Sequence, residues 1–350
     1  MIKMSERSHT PAITIVMPCY NTERYLKKTM SSILAQTFSD YEIIMVDDGS
    51  TDNTPQLLDD YAERYPDIIK VFHKENGGQS TARNMALEYA RGEYVVFWDS
   101  DDYASVDYLE TLIGAARQNN SEVVLSGSHY VDENGVVIEN LNYPVDRFPD
   151  YPLRRLSPHG KLYRLDFLNR HNIRFENGKL YEDNAFNLLA LFLCKNLVIL
   201  PYTGHFQVVH GGSSMSSAVV SEKVPYRGLE DALTYINDHI DEVNDKDVYE
   251  FTVLSFLTYF IFLGNREHMQ AALHKYKGCK YSGSLIDELC AYTQRLVPKK
   301  LPDYYRNPRV GIFRSRELQL RHRAGVWLFV RLLRTHTLRP FARLYYFFVR

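Results

Sequence analysis

The sequence predicts an α/β protein with a doubly wound sheet in its N-terminal half and a mostly helical region after it. Three observations lead to this fold class. Short, continuously apolar runs alternate with segments of helical period. Each of the first four apolar runs ends in polar residues, and the pattern becomes helical beyond about residue 219. Alternating strands and helices are typical of a parallel sheet covered by helices on both faces.

Four strands are predicted in the first 100 residues. The β-branched run Ala12–Met17 is typical of a strand buried on both faces, and helical spacing follows from Glu23 to Thr37. The same reasoning predicts strands at Glu42–Val46, Ile68–Phe72 and Tyr94–Trp98, and helices at Thr54–Tyr65, capped by Thr51 or Asp52, and at Ser80–Ala90. We expect the four strand ends to converge on one rim, where ligands bind in such sheets.

The elements after residue 100 are less regular. They are a helix at Val106–Gln118, a strand at Glu122–Ser126, a hairpin or loop at Val131–Pro152, a helix at Tyr181–Leu193, strands at Asn196–Pro201 and Gly204–His210, and helices near 226–242, 247–264, 267–277, 283–295 and 317–349. A length of 350 residues suggests about two domains.

Composition excludes several classes of protein. With 45% hydrophobic and 24% charged residues the chain should be globular, and a net charge of −2 argues against a nucleic-acid binder. The first apolar run is too short for a secretory signal, and no apolar run is long enough for a membrane span. The cysteines at positions 19, 194, 279 and 290 are scattered, which fits a reducing cytoplasm.

The acidic run Asp99-Ser100-Asp101-Asp102 directly follows an apolar strand. Three carboxylates so close together repel one another, an arrangement that a purely structural role rarely selects. Hard oxygen ligands suit Mg²⁺ or Mn²⁺ bridging a diphosphate. The alternative is a solvated acidic turn that caps the next helix.

Two further strand ends carry polar groups. Asp47-Asp48 can accept hydrogen bonds from a base imide or a ribose hydroxyl, or can simply form a turn and helix cap. The glycines of the segment Lys74–Gly78 let backbone approach a ligand, and Arg83 can pair with phosphate or brace a carboxylate. Taken alone, this second segment is an ordinary junction between a loop and a helix.

Two motifs lie downstream. Glu182-Asp183 opens a predicted helix, where a carboxylate is either a general base for an acceptor hydroxyl or only a cap. His210 ends a predicted strand before a Gly/Ser stretch and is a candidate metal or phosphate ligand. An isolated histidine is more often structural.

In this order, the motifs resemble the family-two inverting glycosyltransferases of GT-A fold, of the bacterial capsule, exopolysaccharide or teichoic-acid type. The matching segments are ITIVMPCYN, QTFSDYEIIMVDDGSTDNT, NGGQSTARNMAL, GEYVVFWDSDD, KLYRLDFL, YEDNAF and HGGSSMS. The resemblance implies a Rossmann-like, doubly wound mixed sheet. It places a catalytic domain at residues 1–217, with a nucleotide-sugar half at about 10–127 and an acceptor half at about 128–217, before a helical region at 218–350.

The resemblance also implies roles for individual residues. The nucleotide-sugar pocket would contain Pro18, Tyr20, Asn21, Asp47, Asp48, Asn76, Arg83, Asp99 and Ser100, with Asp48 at the base and Arg83 near the diphosphate. A divalent metal, Mn²⁺ or Mg²⁺, would be held by Asp101 directly, with Asp99 and His210 as further ligands. Asp183 would be the catalytic base and Glu182 its support.

The implied function is metal-dependent, inverting transfer of a hexosyl or N-acetylhexosaminyl group from a UDP-sugar to a glycan or lipid-linked acceptor in cell-surface polysaccharide biosynthesis. The chain lacks the Gln-x-x-Arg-Trp motif and membrane spans of processive relatives, which predicts one sugar per encounter. A nucleotidyltransferase would need a glycine-rich phosphate loop where Pro18-Cys19-Tyr20-Asn21 stands. A non-catalytic glycan-binding or scaffold protein is the other alternative, against which intact Asp101 and Asp183 argue.

The C-terminal segment 313–350 is basic and aromatic. It has nine arginines and one glutamate, a net charge of +8 that leaves −10 on the rest of the chain. This composition favours an interfacial helix on anionic lipid, at the inner face of the cell membrane. A helix that packs in a homo-oligomer or against the catalytic domain is an equal alternative.

Overall fold

The computed structural model describes residues 9–143, 156–177, 182–210, 227–258, 261, 283–310 and 320–349. The chain divides into two compact units. The first comprises residues 1–143, 157–178 and 194–208, and the second comprises residues 144–156, 179–193 and 209–350. The expected domain boundary at residue 217 lies outside the described residues and stays a prediction.

A mixed sheet forms the first unit, with nine strands among the described residues. They are β1 Ile13–Cys19, β2 Tyr41–Asp47, β3 Ile69–His73, β4 Tyr94–Phe97, β5 Tyr103–Ala104, β6 Val123–Val131, β7 Val137–Leu141, β8 Lys161–Arg164 and β9 Leu197–Val208. Their order is β3-β2-β1-β4-β8-β6-β9-β5, and β7 pairs with β6. The first four strands of this order are parallel, and β8 is antiparallel to both of its neighbours. The predicted doubly wound mixed sheet is thereby confirmed.

Helices flank the sheet and make up the second unit. The first unit contains α1 Glu23–Leu34, α2 Thr54–Arg64, α3 Gln79–Tyr89, α4 Tyr108–Asn119 and α5 Leu165–Arg170. The second contains α6 Glu182–Leu193, α7 Arg227–Asp238, α8 Lys246–Thr258, α9 Gly283–Lys300, α10 Leu320–Arg334 and α11 Leu338–Val349. The mostly helical C-terminal region is therefore present in the part of the chain that is described.

The core of the first unit follows from the apolar strands. Every residue of β1 and β2 is buried, as expected for parallel strands covered on both faces. Helix α1 buries Leu26, Met30 and Ile33, which share one face at helical spacing. In the register of the sheet Cys19 pairs with Asp47, and Asp47 with His73. The predicted convergence of these strand ends on one rim is confirmed.

Several elements differ from the sequence-based expectation. The two strands expected between 196 and 210 are one strand, β9, because it pairs with β6 and β5 along its length. Strand β8 and helix α5 were not predicted, since a four-residue strand has too few residues for a periodic signal. Helix α2 begins at Thr54 after Asn53, while Asp52 accepts a 2.9 Å hydrogen bond from the Thr54 amide. The helix expected near 267–277 and the loop beyond residue 143 lie outside the described residues.

The single helix expected at 317–349 is divided into α10 and α11. The chain turns at residues 335–337, where His336 has a φ of 57°. Helix α10 packs against α8 and buries Val326, Phe329 and Leu333. Among the described residues, no helix is both long and apolar enough to cross a bilayer.

Candidate active site at the carboxyl rim of the sheet

The acidic run after β4 is a tight turn held from several sides. The Asp102 amide donates to the Asp99 carbonyl over 3.1 Å, and Trp98 Nε1 donates to the Asp102 carbonyl over 3.3 Å. Thr29 of α1 donates its hydroxyl to the Ser100 carbonyl over 2.9 Å. These bonds use the backbone of the turn and fix its conformation after β4.

The Asp99 carboxylate is hydrogen-bonded to three side chains. Its Oδ1 accepts from Arg83 Nη2 at 2.9 Å and from Gln79 Nε2 at 3.1 Å, while its Oδ2 lies 3.0 Å from His159 Nε2. Burial alone would raise the pKa of Asp99. The charges of Arg83 and then His159 outweigh burial and hold that pKa well below its usual range.

Arg83 braces this carboxylate from inside the protein. Its side chain is 1% exposed, and its guanidinium carbon lies 5.0 Å from the centre of the Phe175 ring. The sequence allowed Arg83 either to pair with a phosphate or to brace a carboxylate, and in the structure it braces the carboxylate of Asp99. Contact between Arg83 and a diphosphate stays a prediction.

Asp102 is buried beneath the turn. Its Oδ1 accepts a 2.9 Å hydrogen bond from the backbone amide of Val208, and its Oδ2 lies 3.7 Å from His205 Nε2. Burial, followed by the charges of Asp101 and Asp99, raises the pKa of Asp102 well above its usual value. A carboxylate in this position favours either a proton or a cation beside it.

Two histidines lie beside these carboxylates. His205, fully buried on β9, stacks on His159 with 5.6 Å between ring centres and 14° between ring planes. Burial, assisted by the nearby His159, lowers the pKa of His205 to about 3, so this ring is neutral. His159 Nδ1 lies 2.6 Å from Ser157 Oγ, which orients the ring towards Asp99.

The donor atoms of this cluster fit a divalent cation. One ligand atom each from Asp99, Asp102 and His159 lies within 4.8 Å of the other two. Two carboxylate oxygens and an imidazole nitrogen suit Mn²⁺, and the oxygens also suit Mg²⁺. Asp101 is half-buried in the same turn, and its expected role as a direct ligand stays a prediction.

The acids at the end of β2 are both buried and both hydrogen-bonded. Asp48 accepts from Lys74 Nζ at 2.5 Å and from the amides of Gly77 and Gly78 at 2.9 and 2.8 Å. Asp47 accepts the Ser50 amide at 3.0 Å. The carboxylate of Asp48 thus shapes the loop before α3, and its predicted contact with a base is untested.

The end of β1 is tied to the end of β2. Pro18 is buried within the strand, whereas Tyr20 is 49% exposed on the rim. Asn21 adopts a φ of 51°, its amide donates to Ser50 Oγ at 3.0 Å, and its Oδ1 accepts the Thr51 amide at 2.8 Å. These bonds fix the loop after β1, and the expected role of Tyr20 and Asn21 in a nucleotide pocket stays a prediction.

Gly49 is required where these loops meet. Its φ is +74°, and a Cβ there would lie 2.8 Å from the backbone nitrogen of Asn76. A glycine at this position lets the loop bearing the exposed Asn76 pack directly on the end of β2.

Asp183, Glu182 and His210 belong to the second unit. Asp183 is half-buried in the first turn of α6, and its backbone carbonyl accepts a 2.9 Å hydrogen bond from the side-chain Nδ2 of Asn187. Glu182 begins that helix, and its side chain lies outside the described structure. His210 is half-buried just after β9. The base and metal roles expected for these residues stay predictions.

Sequence reasoning missed three residues that contact the acidic turn: Gln79, His159 and His205. The only local signal was His159-Gly160 immediately before the KLYR motif, where Gly160 has a φ of +69°. A histidine before a tight turn at a strand start is too common to stand out. His205 carried no signal because it lies inside a strand.

Comparison with known proteins places these features in a family. A model of glycosyl transferase family 2 matches residues 14–177. Glycosyltransferase GlyG of Streptococcus pneumoniae is 31% identical over 212 residues, which cover 53% of this chain and 69% of the relative. A poly(ribitol-phosphate) beta-glucosyltransferase of Bacillus spizizenii is 32% identical over 232 residues, covering 64% of this chain and 36% of the relative.

The fold is shared with a solved structure. Residues 1–349 of S. aureus TarS, in complex with UDP-GlcNAc, match with a TM-score of 0.64 and 22% identity, covering 93% of this chain and 92% of that one. The chain spans only 29% to 56% of the length of three of the curated relatives that it matches.

Proposed function

The chain belongs to glycosyltransferase family 2, and on this premise we propose that it transfers one sugar from a UDP-sugar to a hydroxyl of a glycan or lipid-linked acceptor. The reaction inverts the anomeric carbon and serves cell-surface polysaccharide biosynthesis. The observation that carries this proposal is the carboxylate turn Asp99–Asp102, held rigidly at the rim by Arg83, Gln79 and His159.

The identity of the donor is supported by the relatives. S. aureus TarS has been solved with UDP and with UDP-GlcNAc, and its fold is shared by this chain. At the rim of this chain, the exposed Tyr20 at the end of β1 offers an aromatic surface for a nucleoside, near the buried acids at the end of β2. We therefore assign the rim around β1, β2 and β3 to the UDP moiety.

The chemistry follows from the charges at the rim. A divalent cation, when bound by Asp101 with Asp99, Asp102 or His159, supplies stabilisation of negative charge on the departing diphosphate. Arg83 keeps Asp99 ionised and fixed, so the turn needs no rearrangement when charge develops. Asp183 removes the proton from the acceptor hydroxyl, and Glu182 supports it. His210 is a further ligand in this scheme.

The acceptor is a hydroxyl-rich polymer or glycan of the cell envelope. Relatives named as poly(ribitol-phosphate) glucosyl- and N-acetylglucosaminyltransferases support a polyol-phosphate or glycan chain as the acceptor. Such polymers present many equivalent hydroxyl groups, which suits the transfer of one sugar per encounter. A non-catalytic binding role predicts no turnover and is distinguished by the assay below.

The packing of α10 sharpens the proposal for the C-terminal segment. Its apolar face is buried within the second unit, so Phe329 cannot insert into lipid without unfolding. Contact with an anionic membrane would instead use exposed arginines such as Arg331 and Arg334 and the exposed Leu344 of α11. Location at the inner face of the membrane, and any homo-oligomer, stay predictions.

The decisive experiment is a transfer assay. The protein is incubated with a panel of UDP-sugars and a polyol-phosphate or glycan acceptor, with Mn²⁺, with Mg²⁺ or with EDTA. Release of UDP and the mass of the acceptor are followed together. We expect acceptor-dependent UDP release that requires the metal. Absence of turnover across the panel would overturn the proposed transfer and favour the non-catalytic alternative.

A further inference from the structure

His73, the last residue of β3, lies between two carboxylates on different elements. Its Nδ1 is 3.1 Å from Asp47 Oδ2 on β2, and its Nε2 is 3.0 Å from Asp59 Oδ1 on α2. Asp47 is almost fully buried, whereas the Asp59 side chain is 53% exposed. The ring therefore joins an acid of the expected donor pocket to a helix on the surface.

Both contacts require a protonated ring. An ionised carboxylate only accepts hydrogen bonds, and a neutral imidazole has a single N–H, so only the imidazolium can donate to both acids. Burial opposes this charge, but the hydrogen bonds that the ring donates to Asp59 and Asp47 outweigh burial and raise the pKa of His73 above its ordinary value. The groups facing the ring are Asp47 from β2 and Asp59 from α2, while the neighbouring Lys74 is engaged by Asp48.

The contact with Asp47 extends to the loops at the rim. The second oxygen of Asp47 accepts the Ser50 amide at 3.0 Å, and Ser50 Oγ accepts the Asn21 amide at 3.0 Å. A chain of hydrogen bonds thus runs from His73 through Asp47 and Ser50 to Asn21. It connects the strand ends that, under the proposed function, surround the nucleoside.

We infer that His73 is a positioning residue for the UDP moiety, acting as an imidazolium that holds Asp47 in place and balances its charge. The inference rests on the proposed function. When His73 loses its proton, one of its two hydrogen bonds is lost and the rim becomes one charge more negative. Both changes weaken binding of an anionic nucleotide, so the affinity for UDP falls as the pH rises through the pKa of His73.

The test is the pH dependence of UDP binding, measured by calorimetry from about pH 6 to pH 9 on the full chain. Wild type should bind roughly two- to fivefold more weakly at the high end than at the low end, as expected for a partly exposed ion pair. His73→Gln should bind at all pH values about as weakly as wild type does at high pH. Titration of UDP itself is common to all variants and cancels in the comparison.

Two variants on α2 separate positioning from general destabilisation. Asp59→Asn removes one of the two acids that stabilise the imidazolium, so the midpoint of the pH profile should move to lower pH while binding at low pH is retained. Asp60 is the next residue in the chain, and its Oδ1 accepts a 2.9 Å hydrogen bond from Gln56 Nε2, so Asp60→Asn should leave the profile unchanged. A merely structural His73 would give no such shift in the midpoint.

The outcomes are distinguishable. If wild type binds UDP and His73→Gln keeps the same affinity and pH profile, the inference is overturned and the proposed function stands. If Asp59→Asn leaves the midpoint where it is in wild type, the inference is also overturned. Wild type that binds no UDP at any pH would overturn the proposed function and this inference with it.

Discussion

Arg83 and Asp99 form an ion pair at the rim, with Nη2 of the arginine 2.9 Å from Oδ1 of the aspartate, the arginine side chain 1% exposed and the aspartate side chain 19% exposed. The pair joins α3 to the acidic turn after β4. Because the same carboxylate also accepts from Gln79 and His159, its position is determined by three side chains rather than by the turn alone.

Removal of the arginine should destabilise the protein. Arg83→Met leaves a carboxylate with little solvent and one charge partner fewer, so we expect the free energy of unfolding to fall by about 3 kcal/mol, measured by urea denaturation. Arg117→Met breaks an exposed pair with Glu93 and should cost less than about 1 kcal/mol. Equal losses in the two variants would show that burial does not strengthen the Arg83 pair.

Asp101→Asn tests the metal site. If Asp101 is a direct ligand, the variant should lose the part of UDP affinity that depends on Mn²⁺, and transfer should fall by about 10²- to 10³-fold. Calorimetry with Mn²⁺ and with EDTA measures the first effect, and UDP release measures the second. Metal-stimulated binding equal to that of wild type would exclude Asp101 from the metal site.

Asp183→Asn tests the catalytic base. A general base contributes about 10²- to 10⁴-fold, so kcat should fall by that factor while the dissociation constant for UDP is unchanged. Asp166→Asn on α5, whose side chain is 80% exposed, is the matched control and should leave both quantities unaltered. A variant at position 183 that turns over at the wild-type rate would remove the proposed base.

Gly49→Ala tests the meeting of the loops at the rim. The positive φ and the 2.8 Å approach of Asn76 should make this change destabilising by about 1 to 3 kcal/mol. Gly114→Ala, at an exposed position in α4 with open space around it, should instead stabilise by up to about 1 kcal/mol. Thermal unfolding of both variants checks these opposite signs.

Arg331→Gln combined with Arg334→Gln tests the membrane proposal. These exposed arginines stack on Trp327 and Tyr305, and each basic residue near an anionic surface contributes about 1 kcal/mol. The double variant loses about 2 kcal/mol of this attraction and should therefore bind anionic vesicles roughly thirtyfold more weakly in sedimentation. Neutral vesicles are the control, and unchanged binding to anionic vesicles would favour the packing alternative.

The sequence was sufficient for the first half of the fold. Buried β-branched runs and the helices between them are set by local period, and parallel strands joined by helices bring Cys19, Asp47 and His73 to one rim by the geometry of the connection. The same argument located the acidic turn and the paired acids, because each directly follows a strand. Family membership rests on these local motifs.

The tertiary structure alone decided which side chains surround those acids. Asp99 meets His159 across 60 positions of sequence, and Asp102 meets the Val208 amide across 106. These contacts depend on the positions of two strands in the sheet. Strand β8 lies between β4 and β6, and β9 lies between β6 and β5, and both positions are set by long-range packing. The spacing of apolar residues along a strand predicts which face is buried, but it does not predict which distant strand pairs with it. The sequence by itself therefore determined where the acids stand, and tertiary packing decided their partners and charge states.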